Sequence, residues 1–246
     1  MGLARKPDSR LAAEVLPPPV YRALTHVFSQ GLQRAMLVGG TALAGYYAGH
    51  RRSDDLDVFA DDTLAHRAAV LSVRSLGELG CSFASERSSA RFYHAACRLD
   101  ERDFTVQVVL DPNLFAVGSG SEADDGVMVA DLETLLKMKA ATLVSRASEK
   151  DLYDLSWLFT HDRRLDVPTL IGLGREVDGG MNGEGLLISL VGTDMRESAC
   201  GFSLTESPAD VLAAVTRVKE GLIRGVERYL RDLPAPPIAR LIRALK

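Results

Sequence analysis

Apolar and polar positions along the first half of the chain alternate between strand and helix periods. Residues 1–16 begin polar; after Pro17-Pro18-Pro19, Val20, Leu24, Val27 and Phe28 recur at helical spacing and predict a helix packed on a sheet. Met36 to Val38 reads as a short buried strand that runs into Gly39-Gly40 and a helix of small residues. A second strand carries Asp55, Leu56, Asp57, Val58 and Phe59. Asp61-Asp62-Thr63 supplies cap chemistry for a helix whose apolar side is read as Leu64, Ala68, Leu71 and Leu79, closed at Gly80. Strand-like runs follow at Cys81 to Glu86, Arg91 to Leu99 and Phe104 to Leu110. In the last, Phe104, Val106, Val108 and Leu110 face one way while Thr105, Gln107, Val109 and Asp111 face the other. Pro112 to Asp125, with Gly118-Ser119-Gly120-Ser121, reads as a loop, and Val127 to Ala130 as a short strand.

The second half is helical in pattern. Leu132, Leu135, Leu136, Ala140 and Leu143 form a stripe that contains Lys139, with Arg146 two turns further along the same face. A cation on a core-facing stripe needs an acidic partner or an anionic ligand, unless it snorkels at the rim. Ser148-Glu149-Lys150-Asp151 has the form of a capping box, which makes Asp151 a cap partner; Lys150 and Asp154, one turn apart, have the spacing of an exposed ion pair. Residues 162–206 are glycine-rich and read as short helices and loops. Ser207-Pro208-Ala209-Asp210 opens a long helix packed through Val211, Val215, Val218, Leu222 and Val226, and Pro234 to Pro237 ends it before a basic tail. The fold class is therefore α/β (α+β): a small mixed sheet in residues 1–130, then a helical domain in residues 131–246.

Composition narrows the function classes. The chain has 246 residues, 46% hydrophobic and 25% charged, with 29 basic and 33 acidic side chains and a formal net charge of -4. No global electrostatic footprint for nucleic acid exists, so a polynucleotide partner must be met by a local patch. On the long helix, Arg217, Lys219, Arg224, Arg228 and Arg231 are interspersed with acids, which fits a solvated face or an RNA-contacting surface. No run of about eighteen apolar residues occurs and the N-terminus is polar, so a cytoplasmic address without membrane association is expected. Cys81, Cys97 and Cys200 lack paired spacing and read as core thiols rather than zinc ligands or disulfides.

The candidate chemistry lies in the first two strands. A glycine pair at a helix start presents unpaired backbone N–H groups, which suits Gly39, Gly40 and Thr41 to seating phosphates. Asp55 and Asp57 project from one face of their strand and repel unless a cation lies between them. Mg²⁺, held by one or two carboxylates together with substrate phosphates, is the usual solution at nucleotide sites.

Gly39-Gly40-Thr41 followed by Arg52-Ser53-x-Asp55-Leu56-Asp57-Val58-Phe59 resembles the polymerase-β-like nucleotidyltransferases. Within that superfamily the chain looks most like AbiEii/AbiGii-like toxins, where a Gly-Gly-Thr helix start precedes an Arg-x-Ser-x-Asp-hydrophobic-Asp-hydrophobic-Phe strand. Lys139, Arg146 and Lys150-Asp151-Leu152-Tyr153-Asp154-Leu155 resemble the second signature of these proteins. The resemblance implies Mg²⁺-dependent transfer of a nucleoside monophosphate from an NTP to a hydroxyl of tRNA or protein, by a toxin paired with an antitoxin. It implies Asp55 and Asp57 as metal ligands, Gly39, Gly40, Thr41, Arg52 and Ser53 around the nucleotide, and catalytic Lys139 with Lys150 on the triphosphate. Asp151 and Asp154 would order the basic groups or the nucleotide, and the helical half would close the site. Gln107 stands where the superfamily's third carboxylate is expected; Asp103 or Asp111 could substitute, or two carboxylates could suffice. The alternative is a nucleotide- or partner-binding module of the same fold that has lost turnover.

Overall fold

A computed structural model describes residues 5–245. The first four residues of the polar N-terminus and the last residue of the basic tail lie outside the described residues. The chain divides into two compact units, Arg5–Leu135 and a second beginning at Leu136.

The first unit is built on one seven-stranded mixed sheet. Its strands are β1 (Ala35–Val38), β2 (Asp55–Ala60), β3 (Ser82–Ser88), β4 (Phe92–Leu99), β5 (Arg102–Leu110), β6 (Gly120–Glu122) and β7 (Met128–Ala130). They lie in the order β3-β4-β5-β2-β1-β7-β6. β2 runs antiparallel to β1 and parallel to β5, with Asp57 opposite Val38 on one side and Gln107 on the other. β1 is buried along its whole length, as a central strand of four apolar residues must be. In β2 the alternation is clean: Leu56, Val58 and Ala60 are buried, and the carboxylates share the opposite face.

The helices of this unit correct parts of the sequence pattern. The polar N-terminal stretch contains a helix, α1 (Ser9–Val15), because Asp8 caps it by accepting from the Arg10 and Leu11 N–H groups. The helix after the proline run is α2 (Pro18–Ser29), with Val20, Leu24, Val27 and Phe28 buried as expected. The glycine pair opens a short α3 (Gly39–Leu43), which widens into a π turn over Ala44–Ala48. In α4 (Thr63–Arg74) the face is reversed from the reading. Ala65, Ala69 and Val73 are buried, whereas Leu64 and Leu71 are 78% and 66% exposed. Both sides of this helix carry apolar residues at helical spacing, and the sheet selects the side whose small side chains allow the closer approach. Leu71→Lys is accordingly expected to change stability by no more than about 0.5 kcal/mol. Leu76→Ala, at a fully buried position in the following 3₁₀ turn, should cost about 2–5 kcal/mol; urea denaturation of both variants checks the assignment. Residues 112–125 are also not a plain loop: Asp111 caps α5 (Pro112–Val117), and β6 follows. Asp125 there accepts from the hydroxyls of Tyr21 (2.8 Å) and Tyr46 (2.9 Å), which ties the segment to α2 and the π turn.

Helix α6 (Leu132–Thr142) carries the chain from the first unit into the second. The second unit contains α7 (Glu149–His161), α8 (Val167–Val177), α9 (Gly183–Gly192), α10 (Pro208–Leu230) and α11 (Ile238–Arg243). The glycine-rich stretch therefore forms two regular helices, because Asp166 and Asn182 cap α8 and α9, and Gly174, Gly183 and Gly185 face neighbours at close range. α10 is the spine, packing α7, α8, α9 and α11 against the buried face read from its valines and Leu222. The three cysteines are free and buried, and burial beside Cys81 pushes the Cys97 thiol up to about 12. Among the described residues, no helix is long and apolar enough to cross a membrane.

Candidate active site

The sheet unit brings together Gly39, Gly40, Thr41, Ser53, Asp55 and Asp57. Gly39 turns the chain from β1 into α3 with φ +71, and a Cβ built there would lie 2.3 Å from Asp57 Oδ2. The glycine is thus needed twice, for its backbone conformation and for the carboxylate that packs against it. Gly40 admits the Arg51 guanidinium in the same way, its virtual Cβ falling 2.3 Å from Nη2. Gly39→Ala is expected to lose more stability than Gly31→Ala, where φ is +74 and nothing lies within 4 Å. The strain of φ > 0, about 1–2 kcal/mol, is common to both; the excess measured by thermal denaturation reports displacement of Asp57.

Thr41 and Ser53 serve the architecture of this corner. Both are buried, and the Thr41 hydroxyl bonds Ser53 Oγ (2.8 Å) and the Asp55 carbonyl, lashing the start of α3 to the start of β2. Arg52 is exposed, and the arginine at the glycine turn is Arg51, 2% exposed, whose Nη1 donates to the Arg52 carbonyl. The missed signal was spacing, since Arg51 stands two residues before Ser53 as an Arg-x-Ser-x-Asp pattern requires. Asp54 points elsewhere and pairs with Arg102.

Asp55 is exposed and accepts from Thr105 Oγ1 at 2.6 Å across the parallel β2–β5 pair. Gln107 sits directly opposite Asp57, where a third carboxylate was expected. Neither alternative replaces it: Asp103 is held by Arg98 at 2.6 and 2.8 Å, and Asp111 caps α5. Among the described residues no group of three or more His, Cys, Asp or Glu side chains is gathered as a metal cluster. The face instead offers two carboxylates, an amide and a hydroxyl, a set of hard oxygen donors that fits Mg²⁺ completed by substrate phosphates.

The helical unit gathers a second set. Lys139 is on the inward stripe of α6, and its ammonium contacts Asp151 (2.8 Å) and Asp154 (2.7 Å), with the three side chains 11%, 3% and 0% exposed. Ser148 caps α7 and also donates its hydroxyl to Asp151. Burial opposes ionisation of Asp151, but Lys139, Ser148 and Arg146 together hold its carboxyl below the usual range. Two of the three ammonium donors of Lys139 are therefore committed to carboxylates. Arg146 lies beyond the end of α6 rather than along its face, and reaches Asp151 at 3.4 Å from an exposed position. Lys150 is exposed on α7, and the expected pair with Asp154 does not form, because Asp154 points into the core toward Lys139.

Residues 22–177 match the family described as Nucleotidyl transferase AbiEii toxin, Type IV TA system. The chain belongs to this AbiEii family. Among solved structures, it is similar to MenT4, a nucleotidyltransferase toxin of Mycobacterium tuberculosis H37Rv, at 19% identity and TM-score 0.55 over 97% of each chain. It is also similar to a candidate nucleotidyltransferase from H. pylori, at 14% identity and TM-score 0.51 over 85% of this chain and 94% of that one. These likenesses show a shared nucleotidyltransferase fold. No curated protein matches the chain in sequence. The AbiEii assignment agrees with both signatures read from the residues, the glycine turn with its carboxylate strand and the Lys139 to Asp154 stretch.

Proposed function

We propose that this AbiEii-family chain is a Mg²⁺-dependent nucleotidyltransferase that moves a nucleoside monophosphate from an NTP to a hydroxyl of tRNA or protein. The setting is cytoplasmic and the protein works as a toxin with a cognate antitoxin. The carrying observation is the Asp57 carboxylate packed on Gly39 while Asp55 and Asp57 share one face of β2. Asp55 and Asp57 would hold Mg²⁺, which when bound polarises the α-phosphate and helps ionise the acceptor hydroxyl. The N–H groups following the glycine turn seat phosphate oxygens, and Arg51 braces that turn from below Gly40. Thr105 orients Asp55 through its hydroxyl. In the reaction the acceptor oxygen bonds to the α-phosphorus, the bond from that phosphorus to the bridging oxygen breaks, and pyrophosphate leaves with its electron pair while the hydroxyl proton passes to solvent. Asp151 and Asp154 position the Lys139 ammonium within the helical unit.

Incubation with Mg²⁺, each α-labelled NTP and either total tRNA or lysate protein tests the reading. Label on a macromolecule with wild type, absent with Asp55→Ala/Asp57→Ala, supports it and names base and acceptor class together. A second reading is favoured by Gln107, an amide that cannot act as a base: a binding module without turnover. It predicts Mg²⁺-dependent nucleotide binding by calorimetry and no label under any condition.

A further inference from the structure

The carboxylate face of the sheet continues past the proposed catalytic strand. Across β2, β5, β4 and β3 the paired residues Asp57, Gln107, His94 and Arg87 form one row, and Phe59, Val109 and Phe92 form the next. On β4, Tyr93, Ala95 and Cys97 are buried on the other face, so Phe92 and His94 stand on the same side as the carboxylates. Phe92 is 37% exposed and His94 half-buried. Their rings lie within 15° of parallel with centroids 6.5 Å apart. The two near-parallel rings thus offer adjacent flat faces on which an unpaired base can stack. Arg87, at the outer end of the row, is exposed and makes no ion pair among the described residues.

We propose that Phe92, His94 and Arg87 form a binding site for single-stranded polynucleotide, with an unpaired base held at the two rings and a backbone phosphate at Arg87. Adjacent strands are about 4.8 Å apart, which puts His94 roughly 10 Å and Arg87 roughly 14 Å from Asp57 along the row. An NTP carries all its phosphates on one side of its base, and the proposed reaction uses them at Gly39 and Asp57. A phosphate reaching Arg87, beyond the rings, must therefore belong to another nucleotide. Aromatic rings on an open sheet face beside a cation are the sequence-tolerant way to hold unpaired bases. A local site of this kind also suits a chain of net charge -4, which has no global attraction for polyanions. The inference rests on the proposed nucleotidyl transfer, for which this strand would be the acceptor.

The test measures the affinity of the full chain for a short fluorescent single-stranded RNA by anisotropy, over a range of salt concentrations. Phe92→Leu and His94→Ala should each weaken binding about 5- to 100-fold, and Phe92→Trp, which keeps a ring, should restore it. Arg87→Ala should flatten the slope of log K against log salt by about 0.7, while Phe92→Leu leaves the slope unchanged. Calorimetric affinity for Mg²⁺-NTP should be the same in all four variants. The proposal is overturned if wild type fails to bind the RNA, if the variants stay within about twofold of it, or if the loss falls on NTP affinity. Ring-dependent RNA binding without label transfer would keep this site and remove the enzymatic reading; label transfer with RNA affinity unchanged in the variants would do the reverse.

Discussion

Asp57→Ala is expected to abolish nucleotidyl transfer, by on the order of 10³-fold or more, in a protein that still folds cooperatively. The loss corresponds to about 4 kcal/mol of transition-state stabilisation, the scale on which one electrostatic contact to a reacting centre acts. Folding should survive because Asp57 is on the outward face of β2, whose core contacts come from Leu56, Val58 and Ala60. Asp57→Asn separates charge from shape: it keeps the atoms packed against Gly39 and should be nearly as inactive as alanine. Gln107→Asp runs in the opposite direction. It places a third carboxylate opposite Asp57, and should tighten Mg²⁺ binding while lowering metal-free stability. Measuring α-label transfer together with thermal denaturation checks both outcomes. Retained transfer in Asp57→Ala would remove this strand from the mechanism.

Asp154→Ala is expected to destabilise the helical unit by about 3–5 kcal/mol, the cost of stripping one partner from a buried ion pair. Asp154 is fully buried and Lys139 nearly so, and the variant takes one of two carboxylates from the Lys139 ammonium. Lys139→Met should be damaging for the converse reason, taking the shared ammonium from two buried carboxylates and leaving Asp151 with the exposed Arg146. The double variant Lys139→Met/Asp154→Leu should recover much of the loss, since an apolar replacement of a buried pair is often neutral. Guanidinium denaturation of the set yields the coupling energy. The cluster also sets an acid limit. The Asp151 carboxyl is held below its ordinary value of 3.8 in the folded protein. Its contribution is fully present above that value and disappears as the pH falls through the lower folded value. Asp151→Asn should therefore lower stability at neutral pH and flatten its decline below about pH 4. A structural role for Lys139 alone predicts that variants which retain the fold also retain transfer, whereas a role toward substrate predicts loss of transfer in Lys139→Met under conditions where it is folded.

The glycine turn, the same-face carboxylates, the cap at Ser148 and the apolar stripes of α2 and α10 were all legible in the residues. Each depends on chemistry within a few positions: strand alternation, helical period, or a hydroxyl reaching the third residue ahead. Residues 162–206 read in sequence as short helices and loops without bounds; the starts of α8 and α9 are set by the Asp166 and Asn182 caps.

What the tertiary structure alone decided concerns partners far apart in the chain. Leu64 and Leu71 lost their place to Ala65 and Ala69 because the sheet surface, not the helix, determines how near a side chain can come. Arg51 and not Arg52 reached Gly40 because the path of the chain into β2 aims only one of them inward. Lys139 found Asp154, and Lys150 did not, because α7 turns Asp154 toward the core. The row from Asp57 through Gln107 and His94 to Arg87 exists only through the pairing of four strands. A sequence states which side chains are available and with what local period; strand register and packing distance decide which of them meet.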